Sequence, residues 1–143
     1  MEKQKFQIEK INNTTIIFNG EIIKKSYNNS CSRDIFKTTE YIIKFDNPKT
    51  NCNAGYQCRK EYDKWRKIRD SNKSEYFVPI LKFGRTNGRA YVIQPRIKIY
   101  RKKSPSWAWN IIDEIQNEFD LDDLHSGNWT VVDDRVLIFD YAF

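Results

Sequence analysis

The sequence is poor in the residues that many small-domain chemistries depend on. Glycine and proline number five and four in 143 residues, which excludes collagen-like and Pro/Gly-rich low-complexity chains. There is a single histidine, and the three cysteines are Cys31, Cys52 and Cys58. With no second cysteine pair and no histidine pair, a structural zinc site is not expected, and an odd number of thiols does not make a disulfide framework. No window reaches the roughly 20 apolar residues that a membrane helix needs. The opening MEKQKFQIEK has no apolar run of the kind a secretory signal carries. Reduced thiols, a cytoplasmic location and no membrane partner are therefore the expectations.

What the chain does contain is enough apolar material for a core. Hydrophobic residues make up 39% and aromatic residues 15% of the sequence, so a globular domain is expected rather than a disordered chain, and 143 residues suit one domain. Lys and Arg outnumber Asp and Glu by 25 to 19, a formal charge of +6 that favours anionic partners. The densest basic run, Arg96, Lys98, Arg101, Lys102 and Lys103, is interleaved with Ile97, Ile99 and Tyr100. It reads first as a solvated face, and nucleic acid is not the expected partner.

Short β-rich runs separated by polar turns occupy the first half: Thr15 to Phe18, Glu21 to Lys25, Asp34 to Lys37 and Glu40 to Phe45. Residues Ala54 to Asp70 show helical spacing, with Cys58, Tyr62, Trp65 and Ile68 on one stripe and Glu61 beside it. Strands over Phe77 to Phe83 and Ala90 to Ile93 flank Asn87-Gly88, a strong hairpin signal. Ser104-Pro105 predicts a helix N-cap followed by proline at the first helical position, opening a helix whose Ile111, Ile112, Ile115 and Phe119 face a core. A polar loop follows, then a hairpin of Thr130 to Val132 and Val136 to Phe139 around Asp133-Asp134. The expected fold class is α+β: a five-stranded antiparallel sheet drawn from these six runs, with one helix, then a helix, a loop and a small hairpin.

Phosphoryl transfer from ATP asks little covalent chemistry of a protein. It needs an oriented nucleophile, held phosphates and divalent cations fixed by oxygen ligands. The segment DLHSGNWTVVDDRVLIFD (123–140) has those parts in order: Asp123 to accept the proton of an acceptor hydroxyl, then Asn128 and Asp140 to offer an amide oxygen and a carboxylate to a metal. DLHSGN, a hairpin and then FDYA together resemble the catalytic loop and metal-binding aspartate of the protein-kinase-like superfamily. Asp140-Tyr141-Ala142 stands where that family usually has Asp-Phe-Gly. The histidine two residues after Asp123 is closer to the style of aminoglycoside, choline and lipopolysaccharide kinases.

The upstream half agrees in order. Lys44 follows Ile42-Ile43 late in a strand, like the family's phosphate-binding lysine, and Glu61 lies in the next helix, like its acidic partner. In AYVIQPRI (90–97) the resemblance implies that main-chain groups of Gln94 and Arg96 meet adenine. His125 is either a structural histidine of the loop or a contact of the transferring phosphate. The loop Ser26 to Ser32 has no glycine, which points to side chains such as Ser30 as phosphate ligands. Leu121 and Asp122 replace the histidine and arginine that precede the aspartate in protein kinases.

The resemblance thus implies one kinase-like domain over 1–143, with a nucleotide-binding lobe to about residue 94 and a reduced second lobe over 95–143. Its cofactors would be ATP and Mg²⁺. Its favoured activity would be transfer of the γ-phosphate to a Ser or Thr hydroxyl of a protein, the alternatives being a kinase-like (pseudokinase) binding protein that occupies a partner, and a small-molecule kinase. Because the chain ends at Phe143, the helical substrate lobe is expected to be missing. The acceptor would then be held by a partner protein or by a second copy in a homodimer.

Overall fold

Alternation of branched apolar and polar residues does build strands in the first half. The computed structural model describes residues 5–26, 33–47, 56–99, 103–121, 124 and 127–142. The chain forms two compact units, Met1–Cys58 with Ile80–Arg96, and Arg59–Pro79 with Ile97–Phe143.

In the first unit, β1 (Ile8–Asn12), β2 (Thr15–Phe18) and β3 (Glu21–Lys24) form an antiparallel meander. Strands β4 (Arg33–Lys37), β5 (Tyr41–Asp46), β6 (Lys82–Thr86) and β7 (Arg89–Pro95) form an antiparallel sheet in the order β4-β5-β7-β6. A bridge between Lys25 and Phe36, with the Ser26 N–H donating to the Ile35 carbonyl at 2.7 Å, lays the end of β3 beside β4. The expected single five-stranded sheet is thus corrected to seven strands among the described residues of this unit, in sheets of three and four. β1 lacks alternation because its pairing with β2 is irregular between Lys10 and Asn12, which leaves Ile8 and Ile11 three positions apart. The turns Asn19-Gly20 (φ 49° and 81°) and Asn87-Gly88 (φ 51° and 76°) put two left-handed residues between strands, the geometry that matches strand twist.

Side chains alternate across β5. Ile43 and Phe45 enter a core with Phe6, Phe18, Phe36, Tyr91 and Ile93, where Phe36–Phe45 and Phe45–Tyr91 ring centroids lie 5.7 and 5.2 Å apart. Lys44 and Asp46 therefore point to the opposite face, and both are buried there.

Helix α1 (Gln57–Ile68) is shorter than the sequence spacing predicts; residues 54 and 55 lie outside the described ones. Its start is capped from a strand: the Cys58 N–H donates to Asp46 Oδ1 at 2.9 Å, placing a buried carboxylate against orphan helix donors. Cys58, Glu61 and Ile68 are the fully buried positions of α1, so Glu61 lies on the buried stripe rather than beside it.

The second unit contains a 3₁₀ turn (Ser74–Tyr76), α2 (Ser106–Phe119) and the hairpin β8 (Trp129–Val132) and β9 (Arg135–Ile138). Phe77 to Phe83 is not a continuous strand. Phe77 makes one parallel bridge to Ile138, and the Val78 N–H donates to the Ile138 carbonyl at 2.8 Å. Pro79, which has no N–H, ends that pairing, and β6 begins only at Lys82. Pro105, not Ser104, occupies the N-cap of α2, and no side chain caps it. The helix ends on Asp120 in the left-handed region (φ 51°), and Ala108, Ile112 and Ile115 are its buried face. Lys73 donates to Glu114 at 2.8 Å. That hydrogen bond holds the ammonium above its ordinary range, so its contribution is present through neutral pH and is lost as pH rises past the lysine range.

Asp133 and Asp134 both have positive φ, 50° and 59°, at the β8–β9 turn. Asp134→Gly removes the Cβ penalty at one of them and is expected to raise stability by about 0.5–1 kcal/mol, read as a higher urea midpoint.

Candidate nucleotide and metal site

The hairpin is what joins the two expected metal ligands. The carbonyl of Asn128 accepts the Phe139 N–H at 3.0 Å and the Asp140 N–H at 3.3 Å. Residues on either side of a ten-residue excursion of chain are thereby tied together by backbone alone, at the open end of the β8–β9 ladder whose first pair is Trp129 with Ile138. Asn128 is buried and Asp140 half-buried. An amide oxygen and a carboxylate are hard donors, the type that Mg²⁺ takes, so the donor set fits that ion. Among the described residues there is no cluster of three or more His, Cys, Asp or Glu that could hold a metal. The pair's remaining partners would be nucleotide oxygens and water, as is usual for Mg²⁺.

The carboxylate of Glu61 bears on the same segment. Its Oε2 accepts the Tyr141 N–H at 2.9 Å, with Glu61 and Tyr141 both fully buried. A buried carboxylate demands such partners, and here it fixes the residue after Asp140. Fully buried and hydrogen-bonded, Glu61 is not a solvated helical charge.

In the first unit, Lys44 pairs with Val92 and Ile42 with Gln94. Lys44 and Gln94 thus share one face of adjacent strands, with 6% and 2% of their surfaces exposed. A lysine is almost never buried so deeply as a mere strand-end surface residue. The Cys58 thiol donates to the Lys44 carbonyl at 3.2 Å, so the start of α1 is tied to the backbone of this lysine. Arg96 is exposed; its N–H donates to the Glu40 carbonyl and its Nη1 to the Thr38 carbonyl, at 2.8 and 2.9 Å. Its main-chain donor is engaged, which leaves the carbonyl as the main-chain group it can offer a base.

Ser30, Asp123 and His125 lie outside the described residues. Among the described residues near Asp123 and His125 in sequence, Trp129 Nε1 donates to the Leu124 carbonyl at 3.2 Å, and Leu124 and Trp129 are both buried. Trp109 packs edge-on against Trp129 at 4.9 Å. Trp129 and Asp46 are the supporting residues that sequence reasoning does not single out, while it places Cys58 only on a helical stripe and Tyr141 only in the triplet Asp140-Tyr141-Ala142. Only Trp129, next to Asn128, has a sequence signal, an indole N–H that needs an acceptor when buried.

No protein-family model matches the sequence, and no curated protein does. Among solved structures the chain is similar to monomeric WbdD, with a TM-score of 0.55 and 14% identity over 96% of this chain and 43% of that one. A second similar structure, described as the bifunctional kinase-methyltransferase WbdD, gives a TM-score of 0.52 and 12% identity over 91% of this chain and 36% of that one. The chain thus spans less than half the length of these two structures. At such identity the likeness is one of fold, an α+β arrangement consistent with a kinase-like fold, in agreement with the resemblance read in the sequence.

Proposed function

We propose that the chain is an ATP- and Mg²⁺-dependent phosphotransferase that moves the γ-phosphate to a hydroxyl, with a protein serine or threonine as the favoured acceptor. The observation that carries this reading is the backbone junction of Asn128 and Asp140, which gathers two hard-oxygen ligands at the end of the segment that begins with Asp123. Asp123 takes the proton of the acceptor hydroxyl as its oxygen forms a bond to the γ-phosphorus. The bond from that phosphorus to the bridging oxygen breaks, and ADP leaves. Lys44 holds the α- and β-phosphates, and Gln94 and the Arg96 carbonyl contribute to adenine recognition. Asn128 and Asp140 would hold Mg²⁺, whose charge would offset that of the phosphate oxygens.

A kinase-like binding protein is the second reading, favoured by the absence of glycine in the loop Ser26 to Ser32, since glycines let a backbone close over phosphates. Small-molecule phosphorylation is the third, in keeping with the style of the DLHSGN loop. Incubation with γ-labelled ATP and Mg²⁺, alone and with a host-cell extract, separates the readings. Label carried to protein by the native chain, and lost in Asp123→Ala, is the expected result. Mg-ATP binding without transfer would put the binding-protein reading ahead, and neither binding nor transfer would overturn both.

A further inference from the structure

Tyr141 occupies the position after the proposed metal ligand, and the structure gives it more attachments than packing alone requires. Its N–H donates to Glu61 Oε2 at 2.9 Å. Its hydroxyl donates to the Val78 carbonyl at 2.8 Å. Its ring stands edge-on to Phe77 at 5.2 Å, and the side chain is fully buried. On the other side of Asp140, its own N–H and that of Phe139 both end on the Asn128 carbonyl. The backbone of Asp140 is thus held before, at and after the residue, by three elements: the catalytic-loop end, helix α1 and the stretch that pairs with β9.

We infer that Tyr141 is a positioning residue for the metal site, its phenol hydroxyl pinning the Asp140 segment to Val78 so that the carboxylate is set before any metal or nucleotide arrives. This rests on the reading of Asn128 and Asp140 as Mg²⁺ ligands. A phenylalanine would supply the same ring contact with Phe77 but no bond to Val78, so the hydroxyl has a role distinct from filling the core. Groups that hold a metal ligand from behind strengthen metal binding by removing the cost of ordering it. The consequence is a fixed ligand: affinity for metal is built into the resting fold instead of being switched on by movement of this segment.

The test is the Mg²⁺ concentration needed for half-maximal ATP binding in the native chain, Tyr141→Phe and Ile112→Val, a core change in α2 that lowers stability without touching the site. Tyr141→Phe is expected to need about tenfold more Mg²⁺, with its weak ATP binding in EDTA unchanged, while Ile112→Val keeps the native requirement. An unaltered requirement in Tyr141→Phe, or an equal rise in both variants, would overturn the inference and leave Tyr141 a packing residue. Absence of any Mg²⁺ dependence in the native chain would instead overturn the metal-site reading on which the inference stands. Hydrogen exchange in the native chain without ligand supplies a check that needs no variant: the Tyr141 amide is expected among the slowly exchanging ones, and fast exchange there would contradict a preset segment.

Discussion

Asp140→Asn is expected to lower transfer of the γ-phosphate by about 100-fold or more, because a site that holds Mg²⁺ by one carboxylate and one amide would then present two neutral oxygens to a hard dication. The substitution is nearly isosteric. It leaves the main-chain bond from residue 140 to the Asn128 carbonyl intact, so the hairpin and the anchor at Glu61 stay in place. The loss should therefore appear in turnover and in metal-dependent ATP binding, while the free energy of unfolding changes by no more than about 1 kcal/mol. Transfer at the native rate would remove Asp140 from the chemistry, and a collapse in stability would make it a structural residue.

Glu61→Ala is expected to have the largest effect on stability, about 3 kcal/mol or more, from three sources that act together. It leaves the buried Tyr141 N–H without its acceptor, empties the volume of a side chain with no exposed surface, and removes a buried charge from groups arranged around it. Glu61→Gln keeps an oxygen that can accept the Tyr141 N–H, and a smaller cost of about 1 kcal/mol is expected. Urea unfolding of both variants makes the comparison. Equal small losses would mean that Glu61 does not hold the Asp140 segment, and equal large ones would assign the effect to charge alone.

The elements with a strong local code were legible in the sequence. The strands around Ile16, Ile43 and Val136, the Asn-Gly turn at 87–88 and the α2 face of Ile112 and Ile115 all follow from periodicity and turn chemistry. Failures fell where tertiary contacts overrule local preference. Strand β1 is paired through an irregular register, so its sequence has no alternation to read. Phe77 is aromatic and Val78 β-branched, types that predict a strand, yet Pro79 leaves them only a single bridge to Ile138.

The site divides in the same way. Lys44, Glu61, Asn128 and Asp140 were singled out through the resemblance to the protein-kinase-like superfamily, and their roles belong to the proposed function. The partner of the Tyr141 amide was not, because a bond between residues 61 and 141 crosses 80 positions and leaves no trace in either neighbourhood. Asp46 as the cap of α1 is hidden for the same reason: the residue that satisfies Cys58 stands on a strand, 12 positions earlier, and not at the start of the helix.

Calorimetric titration of the native chain with ATP, once with Mg²⁺ and once with EDTA, tests the account most directly. Binding that strengthens at least about tenfold with Mg²⁺, and loses that gain in Asp140→Asn, is the expected result. Binding that is the same with and without Mg²⁺, or no binding in either, would contradict the assignment of Asn128 and Asp140 as a metal-nucleotide site.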